Sequence, residues 1–300
     1  MSAVIAITRA GPLTSVQDAG RFGHLRHGIS ASGPMDGTSF RLAGALVGAD
    51  HAGIEITTAG IALRLQSGNC SIGMAGGSFV ARRNGEVTDW PGTVTLQAGD
   101  ALSITPGAAG NYGYLRFDSA LVLPAVLGSV ATSSRARLGG MNGRPLQLGD
   151  VLELAEPGPL KPSAVASAAT GNGPIRFVWG LHADLFPAPT RQAFTETSFA
   201  ISRRLDRMGA RLDDAAGVFA EATSLSLVSD AIVPGDIQIL GDGTPIVLMR
   251  DHQPTGGYPR IGTLISADLD RFAQLRPGSP VSFAPVSVAH AQQILRNQPS

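Results

Sequence analysis

The sequence has very little of two residues on which common chemistries depend. A single cysteine, Cys70, excludes an internal disulfide framework and any zinc site built from a cysteine cluster. A single lysine, Lys161, lies in the linker-like stretch EPGPLKPSAVASAATGNGP, outside the Met-Lys setting of a biotinylated lysine. Phosphate-binding, Schiff-base and biotinyl lysines are therefore missing from the folded parts of the chain. Phosphate or carboxylate chemistry here must use arginine, backbone amides or a metal ion.

The chain also lacks an excess of charge and a long apolar run. Its 23 Lys and Arg balance 23 Asp and Glu, so no overall field draws it to nucleic acid or to an anionic membrane. No apolar run approaches the ~20 residues of a membrane span. The start, MSAVIAITRAGP, has no basic segment before its short apolar run and predicts a first strand, not a signal peptide. We expect a soluble, cytoplasmic protein.

Glycine (38 residues) and proline (20 residues) are abundant, and they separate short β-rich runs. The runs are GIALRLQ, TVTLQ, ALSIT, YLRF, VLELA, IRFVWG, IQIL, PIVLMR and PVSFAPV. Such runs between turn signals predict mostly antiparallel β structure. A Gly-Asp turn precedes a strand at Gly99-Asp100, Gly149-Asp150 and Gly235-Asp236, so the same unit recurs in both halves of the chain.

Residues 158–172, rich in Pro, Ala, Ser and Gly, predict a linker between an N-terminal lobe, 1–157, and a C-terminal lobe, 173–300. Repeated strand-turn units must bury their edges, so we expect a β-barrel in each lobe. Three short helices are predicted: one capped by Asp36, one after Ser266 and one from Ser287.

The first candidate site is the glycine-rich segment SVQDAGRFGHLRHGISASGPMDG, residues 15–37, ahead of the first helix. It can bring backbone amides and Arg21 to an anion at the helix start. Alternatively, an Asp18–Arg21 pair ties down a long loop. His24 and His27 have the spacing of metal ligands, but no third ligand is identifiable, so no metal site is expected.

Two further stretches carry arginines. RLGGMNGRPLQLGD, residues 137–150, could cradle phosphate, but it lacks a strand-loop-helix context and favours turns. SRRLDRMGARLDD, residues 202–214, would align Arg207 and Arg211 on one face if it were helical, as a clamp for carboxylate or phosphate. Gly209 argues against a helix, and a solvated charge run is the alternative.

The fourth stretch, DHQPTGGYPRIG, concentrates polar side chains beside a Gly-Gly pair. Turns collect such residues simply because turns face water, which is the alternative to a site. A triad of Ser32, His252 and Asp251 has no Gly-x-Ser-x-Gly elbow to support it, and adjacent strand residues point to opposite faces.

Taken together, these stretches resemble the allophanate-hydrolase-subunit-2-like family, also described as biotin-dependent carboxyltransferases or as the C subunit of the bacterial ATP-dependent 5-oxoprolinase. The resemblance covers nearly the whole chain. Its blocks are GPLTSVQDAGRFGHLRHGISASGPMD, LVG, IEITTAG, VLGS, LGGMNGRPLQLGD, DRMGARL and GDIQILGDGTPIVLMRDHQPTGGYPRIGTLISADLDRFAQLRPG. The chain departs from the family pattern at Asp118, Ser119, Val130 and Leu205.

The resemblance implies a mainly β protein of two cyclophilin-like β-barrel lobes with a few short covering helices and a cleft between the lobes. It implies one part of an enzyme that acts with a B-type partner, similar to allophanate hydrolase subunit 1, and shares ATP with it to activate 5-oxoproline or a similar small lactam or amide. The A-type subunit is a further candidate partner. One alternative is the carboxyltransferase half of a urea carboxylase-type system, with biotin carried by another chain. Another is a regulatory antagonist of a kinase inhibitor.

Activating an amide requires donors for the charge that develops on its oxygen and an acceptor for its N–H. We therefore predict Asp251, His252, Asp18 and Arg211 as catalytic residues. Arginines and the Gly256 and Gly257 amides are expected to donate to the oxygen, and Asp251 or Asp18 is expected to accept from the N–H. The predicted substrate- or nucleotide-binding residues are Gln17, Arg21, Ser32, Asp36, Arg207, Gln253, Thr255, Gly256, Gly257 and Tyr258. The first-lobe residues of this set are expected to face the second-lobe residues across the cleft.

Overall fold

The computed structural model describes residues 2–156, 171, 173–222 and 227–297. These residues divide into two compact units. The first contains residues 2–22 and 32–156, and the second contains residues 23–31 and the described residues from 171 onward. The predicted linker, 158–172, lies outside the described residues apart from Gly171, so the lobe boundaries stay predictions.

The first unit contains eleven strands and one α-helix among its described residues. In chain order they are β1 (Ala3–Ala10), β2 (Ser15–Gln17), α1 (Gly37–Ala45), β3 (Gly53–Ile56), β4 (Ile61–Ser67), β5 (Asn69–Gly76), β6 (Phe79–Arg83), β7 (Glu86–Thr88), β8 (Gly92–Gln97), β9 (Ala101–Pro106), β10 (Gly113–Phe117) and β11 (Val151–Leu154).

Two antiparallel sheets enclose the core of this unit. Their orders are β11-β1-β4-β9-β6-β7 and β2-β3-β10-β5-β8. Alternation along each strand decides which side chains are buried: Ile61, Leu63 and Leu65 of β4 are fully buried, while the residues between them are not. These side chains join Ile54 and Leu115 of the second sheet in one hydrophobic cluster.

The second unit contains ten strands and three α-helices among its described residues. They are β12 (Ile175–Trp179), α2 (Ala188–Glu196), β13 (Phe199–Leu205), β14 (Gly209–Asp213), β15 (Asp230–Ala231), β16 (Asp236–Ile239), β17 (Pro245–Leu248), β18 (Thr255–Gly256), β19 (Arg260–Leu264), α3 (Ser266–Ala273), β20 (Pro280–Val281), β21 (Phe283–Pro285) and α4 (Val288–Arg296).

Eight of these strands form one nearly closed sheet, in the order β20-β13-β14-β17-β16-β19-β12-β21. Its two edge strands, β20 and β21, are consecutive in the chain and separated only by Ser282. Both edges must therefore come together at this residue, which curls the sheet into a barrel. The β12–β21 pairing is parallel, and the neighbouring pairings along this sheet are antiparallel.

Helix α2 seals an aromatic core in this unit. The Phe194 ring centroid lies 5.0 Å from that of Phe283 and 5.2 Å from that of Phe177. Phe199 and Phe219 lie at 5.7 and 5.8 Å. Offset and edge-on rings at these separations add to the apolar burial that holds the helix on the sheet.

The predicted mainly β fold of two barrel lobes with a few short helices is confirmed. All nine predicted β runs form strands, and the helices expected at Asp36, Ser266 and Ser287 are present. Asp36 and Ser287 cap α1 and α4 by accepting from the N–H groups of Ser39 and His290. Among the described residues, no helix is long and apolar enough to cross a membrane.

Candidate functional site

The outer face of the five-stranded sheet carries polar side chains on which α1 rests. In β3, Glu55 lies between the core residues Ile54 and Ile56, and in β10 its cross-strand partner Tyr114 precedes the core residue Leu115. A glycine in β5 brings the helix close: a Cβ at Gly73 would lie 2.0 Å from the carbonyl oxygen of Ala43.

Three buried side chains of this face hold the backbone that leads into α1. The Gly33 N–H donates to Gln17 Oε1 (3.1 Å), and the Met35 N–H donates to Glu55 Oε2 (2.7 Å). The Asp36 N–H donates to Tyr114 Oη (2.7 Å), whose hydroxyl donates to Glu55 Oε2 (2.9 Å). Since Pro34 has no N–H, every amide from 33 to 36 is held. We call Gln17, Glu55 and Tyr114 the amide clamp.

Electrostatics at the clamp favour hydrogen bonding over ionisation of the phenol. Burial, with Glu55 and Asp36 close by, raises the pKa of Tyr114 well above its ordinary value. The phenol therefore stays neutral and keeps the proton that it donates to Glu55. Sequence analysis missed Glu55 and Tyr114; the available signal was a carboxyl residue inside the apolar strand GIEI.

Asp18 and Arg21 both anchor the segment 126–131, and the Asp18–Arg21 pair considered from the sequence is wrong. Asp18 accepts from the Ser129 hydroxyl and the Val130 N–H, both at 2.7 Å, and from the Gly20 N–H (2.8 Å). Arg21 is buried and donates to the carbonyl oxygens of residues 126, 129 and 131. Both side chains shape the loop around β2.

The family departures in this unit have structural partners. Asp118 accepts from the Ser71 N–H (2.8 Å) and from the neighbouring Ser119 hydroxyl (3.1 Å), which fixes the end of β10 against β5. Val130 contributes its backbone N–H to Asp18. A valine side chain does not alter that bond.

The recurring Gly-Asp turns share one construction. In each, glycine has a left-handed φ and the aspartate accepts from the N–H three residues before it, at Gln97, Gln147 and Val233. Each aspartate also pairs with an arginine: Asp100 with Arg83, Asp150 with Arg144 and Asp236 with Arg260. Arg144 thus binds the aspartate of its own turn, in agreement with the interpretation of residues 137–150 as turns.

In the second unit, Arg207 and Asp251 form a buried ion pair. The segment 202–214 is the β13–β14 hairpin and not a helix, and Arg207 lies in its turn. Arg207 Nε and Nη2 donate to the two oxygens of Asp251 at 2.9 and 3.2 Å. The Asp251 N–H also donates to the Arg207 carbonyl oxygen (2.7 Å). Both carboxylate oxygens are therefore engaged by this guanidinium.

His252 is buried beside this pair, with its Nδ1 2.6 Å from the carbonyl oxygen of Gln253. A carbonyl oxygen accepts and does not donate, so Nδ1 carries a proton. In the neutral ring, Nε2 then carries the lone pair. This is the tautomer that an acceptor for a substrate N–H requires.

Because Gly256 and Gly257 have no side chains, neighbouring atoms approach both residues closely. Strand β18 pairs with β15, and the Leu227 N–H donates to the Gly257 carbonyl oxygen (2.8 Å). A Cβ at Gly256 would lie 2.7 Å from Gln238 Nε2, and one at Gly257 would lie 2.8 Å from the Leu227 carbonyl oxygen. Thr255 and Tyr258 remain exposed on either side.

Arg260, which sequence analysis did not select, anchors this segment to β15 and β16. It is buried and donates to the Ala231 carbonyl oxygen (2.8 Å), to Asp230 and to Asp236. The Ala231 N–H contributes most to holding the pKa of Asp230 below its ordinary value, and the attraction of Arg260 adds to it. Arg211 is half-buried in β14 and lies near Asp242.

The structure thus gathers the predicted residues into two groups, one in each unit. In the first unit, Gln17, Ser32 and Asp36 lie in or contact the segment that leads into α1, and Asp18 and Arg21 hold the loop around β2. In the second unit, Asp251 pairs with Arg207 at the hairpin turn, and Thr255 and Gly256 pair with β15. The expected apposition of the two groups across a cleft stays a prediction. Within the described ranges, no cluster of three or more His, Cys, Asp or Glu side chains could hold a metal ion.

Residues 27–285 match the family described as carboxyltransferase domain, subdomain A and B, and the chain belongs to this family. It is 31% identical to the C subunit of 5-oxoprolinase from Escherichia coli (strain K12), over 98% of this chain and 95% of that protein. It is 33% identical to the C subunit of 5-oxoprolinase from Haemophilus influenzae, over 94% of this chain and 91% of that protein.

Solved structures extend the likeness to larger enzymes. The Kluyveromyces lactis urea amidolyase structure matches 98% of this chain with a TM-score of 0.88 and 29% identity, and the chain covers 19% of it. The urea carboxylase structure from the same organism matches 99% with a TM-score of 0.88 and 29% identity, and the chain covers 28% of it. This chain thus corresponds to one part of those enzymes.

Proposed function

We propose that this chain is the C-type subunit of an ATP-dependent 5-oxoprolinase-like amidohydrolase. It would act with a B-type subunit, and with an A-type subunit as a further candidate partner, to activate 5-oxoproline or a similar small lactam or amide. The supporting observation is the end-to-end likeness, at 31% and 33% identity, to two proteins named as the C subunit of 5-oxoprolinase. Because the only lysine, Lys161, lies in the linker-like stretch EPGPLKPSAVASAATGNGP, arginines and backbone amides would meet the nucleotide phosphates, with ATP shared between the subunits.

In this proposal the two groups of residues have different tasks. Arg211 and the amides of Gly256 and Gly257 would stabilise negative charge on the amide oxygen. Asp251, Asp18 or His252 would accept from the substrate N–H. Asp251 and Asp18 also hold Arg207 and the loop around β2.

A second candidate function is carboxyl transfer from biotin carried by another chain. The family description and the match to the urea carboxylase structure favour it. The same donors and acceptor would then serve a carboxyl group and the amide that receives it.

Co-expression with a B-type subunit separates the candidates. We expect the purified complex to hydrolyse ATP faster with 5-oxoproline than without it, and the partner without this chain to show no such stimulation. Transfer of carboxyl from carboxybiotin to urea, with no response of ATP hydrolysis to 5-oxoproline, would favour the second candidate.

A further inference from the structure

Ser32 stands out at the start of the segment that the amide clamp holds. It is 4% exposed, and its φ of 57° lies in the left-handed region that residues other than glycine rarely adopt. Its Oγ has no hydrogen-bond partner among the described residues. Buried hydroxyls are usually hydrogen-bonded, so this one needs an explanation.

Local structure does not account for a serine here. Residues that tolerate the left-handed region, such as Asn and Asp, often do so through a hydrogen bond from the side chain to the nearby backbone. Ser32 makes no such bond with the described chain, and glycine would adopt the same φ without strain. Its hydroxyl therefore stabilises neither the backbone conformation nor the packing.

The surroundings are unusually well fixed for a loop. The amides that follow Ser32 are held by side chains from three adjacent strands, β2, β3 and β10, and all three side chains are fully buried. Buried side chains that hold a loop in this way keep ligand-contacting groups in a fixed position. A strained backbone conformation such as the left-handed φ of Ser32 persists where many surrounding contacts hold it in place, as the amide clamp does here. Such conformations are concentrated at ligand sites.

We propose that Ser32 Oγ is a ligand-binding group and that the amide clamp positions it. The ligand class rests on the proposed function: Ser32 would contact the neutral amide group of a small lactam or amide, whose carbonyl can accept from the hydroxyl and whose N–H can donate to it. Residues 32–35, Ser-Gly-Pro-Met, carry no charged side chain, which favours a neutral polar group over a phosphate.

The test compares Ser32→Ala and Ser32→Gly with the unaltered protein. The ligand-induced rise in unfolding temperature is titrated with 5-oxoproline and, separately, with urea, using the full chain alone and in its complex with the B-type subunit. We expect one of the two probes to bind and both Ser32 variants to bind it about tenfold more weakly, the effect of one lost hydrogen bond. Ser32→Gly adopts the left-handed backbone without strain, so it still tests the proposal if Ser32→Ala fails to fold.

Thr14→Val is the matched control, because Thr14 also has a buried hydroxyl without a partner in the described chain, but it lies outside the clamped segment. We expect it to bind as the unaltered protein does. Unaltered binding by both Ser32 variants, or no binding of either probe by the unaltered protein, would overturn the proposal.

The experiments distinguish failure of the Ser32 assignment from failure of the proposed 5-oxoprolinase function. Binding of urea that Ser32→Ala weakens, with ATP hydrolysis unresponsive to 5-oxoproline, would support the Ser32 assignment and sink the 5-oxoprolinase proposal. Stimulated ATP hydrolysis with the same KM for 5-oxoproline in both Ser32 variants would do the reverse.

Discussion

At the residue scale, buried polar side chains in this protein work through fixed partners. Arg116 shows the pattern: its Nη1 donates to the carbonyl oxygen of Phe40 within α1, its Nη2 donates to that of Ala49 beyond the helix, and its guanidinium stacks on the Phe40 ring at 3.9 Å. Burial lowers its pKa to about 10. Arg116 thus ties the side of α1 to the segment after it, and the Asp36 cap complements the helix dipole at the N-terminal end.

We predict that the buried Arg207–Asp251 ion pair contributes to the stability of the fold. Asp251→Asn should destabilise the chain by about 3 kcal/mol, because removing the charge of one member of a buried ion pair is strongly destabilising. Urea denaturation followed by fluorescence measures this. Asp184→Asn is the control, since Asp184 pairs with Arg191 but its carboxylate is exposed, and it should change stability by less than about 0.5 kcal/mol. Equal stability of the two variants would show that the buried pair is not a stabilising contact.

Tyr114→Phe tests the amide clamp. Without the phenol oxygen, the Asp36 N–H loses its acceptor and Glu55 loses a donor, so we expect a loss of about 1–3 kcal/mol in the free energy of unfolding. Tyr258→Phe, at an exposed tyrosine, should stay within about 0.5 kcal/mol of the unaltered protein. A Tyr114→Phe protein as stable as the Tyr258→Phe control would contradict the clamp.

At the scale of elements, the Gly-Asp turns show how a short local unit repeats across both units. The left-handed glycine turns the chain, and the aspartate then closes the turn by accepting from the backbone before the strand begins. At Asp100 the Gln97 N–H is the main cause that lowers the pKa to about 2, with Asn84 and Arg83 adding to it. The Arg144 guanidinium is the main cause that lowers the pKa of Asp150.

The lowered pKa of Asp100 makes its contribution to the free energy of unfolding depend on pH. Because the folded-state pKa of Asp100 lies below its unfolded value of about 3.9, its contribution to stability is complete above about pH 4 and is lost as the pH falls toward about 2. The stability difference between the unaltered protein and Asp100→Asn should therefore be smaller at about pH 3 than at about pH 7. Urea midpoints at both values measure it.

Gly99→Ala provides the control in the same turn. Gly99 has a φ of 96° and open space where a Cβ would lie, so alanine costs backbone strain but changes no titrating group. Its destabilisation should be the same at both pH values. A pH-independent effect of Asp100→Asn would show that the carboxylate is not what stabilises the turn.

The elements that the sequence predicts are those that local rules determine. Alternating strands, the Asp36 and Ser287 caps and the Gly-Asp turns depend on neighbours in the chain. Helix α2 was missed because Pro187 and Pro189 indicate a break, although proline fits the first turn of a helix, where no N–H is needed.

The candidate site is less predictable because its contacts are long-range. Glu55 and Tyr114 are 59 residues apart, and only the β3–β10 register makes them partners. Arg207 and Asp251, 44 residues apart, meet only once β14 has paired with β17. The sequence supplied their residue types and their motifs, but pairing register decides which side chains meet.

At the scale of the whole molecule, the chain is expected to work as part of a larger enzyme. The sequence has no nucleotide-binding motif with a lysine and no biotin attachment setting, so we predict that the purified chain alone shows no 5-oxoproline-dependent ATP hydrolysis. Activity should appear on adding the B-type subunit, as a coupled assay for ADP would show. Robust turnover by the chain alone would contradict a shared site.

The closure of the eight-stranded sheet at Ser282 also bears on synthesis in the cell. Strands β12 and β13 are made first among the eight strands of this sheet, but their outer partners, β21 and β20, are made last among them. Until then both strands have an open edge that can pair with another nascent chain. A product that stops before Pro280 keeps those edges permanently, so premature termination there should yield aggregates in place of a folded second unit.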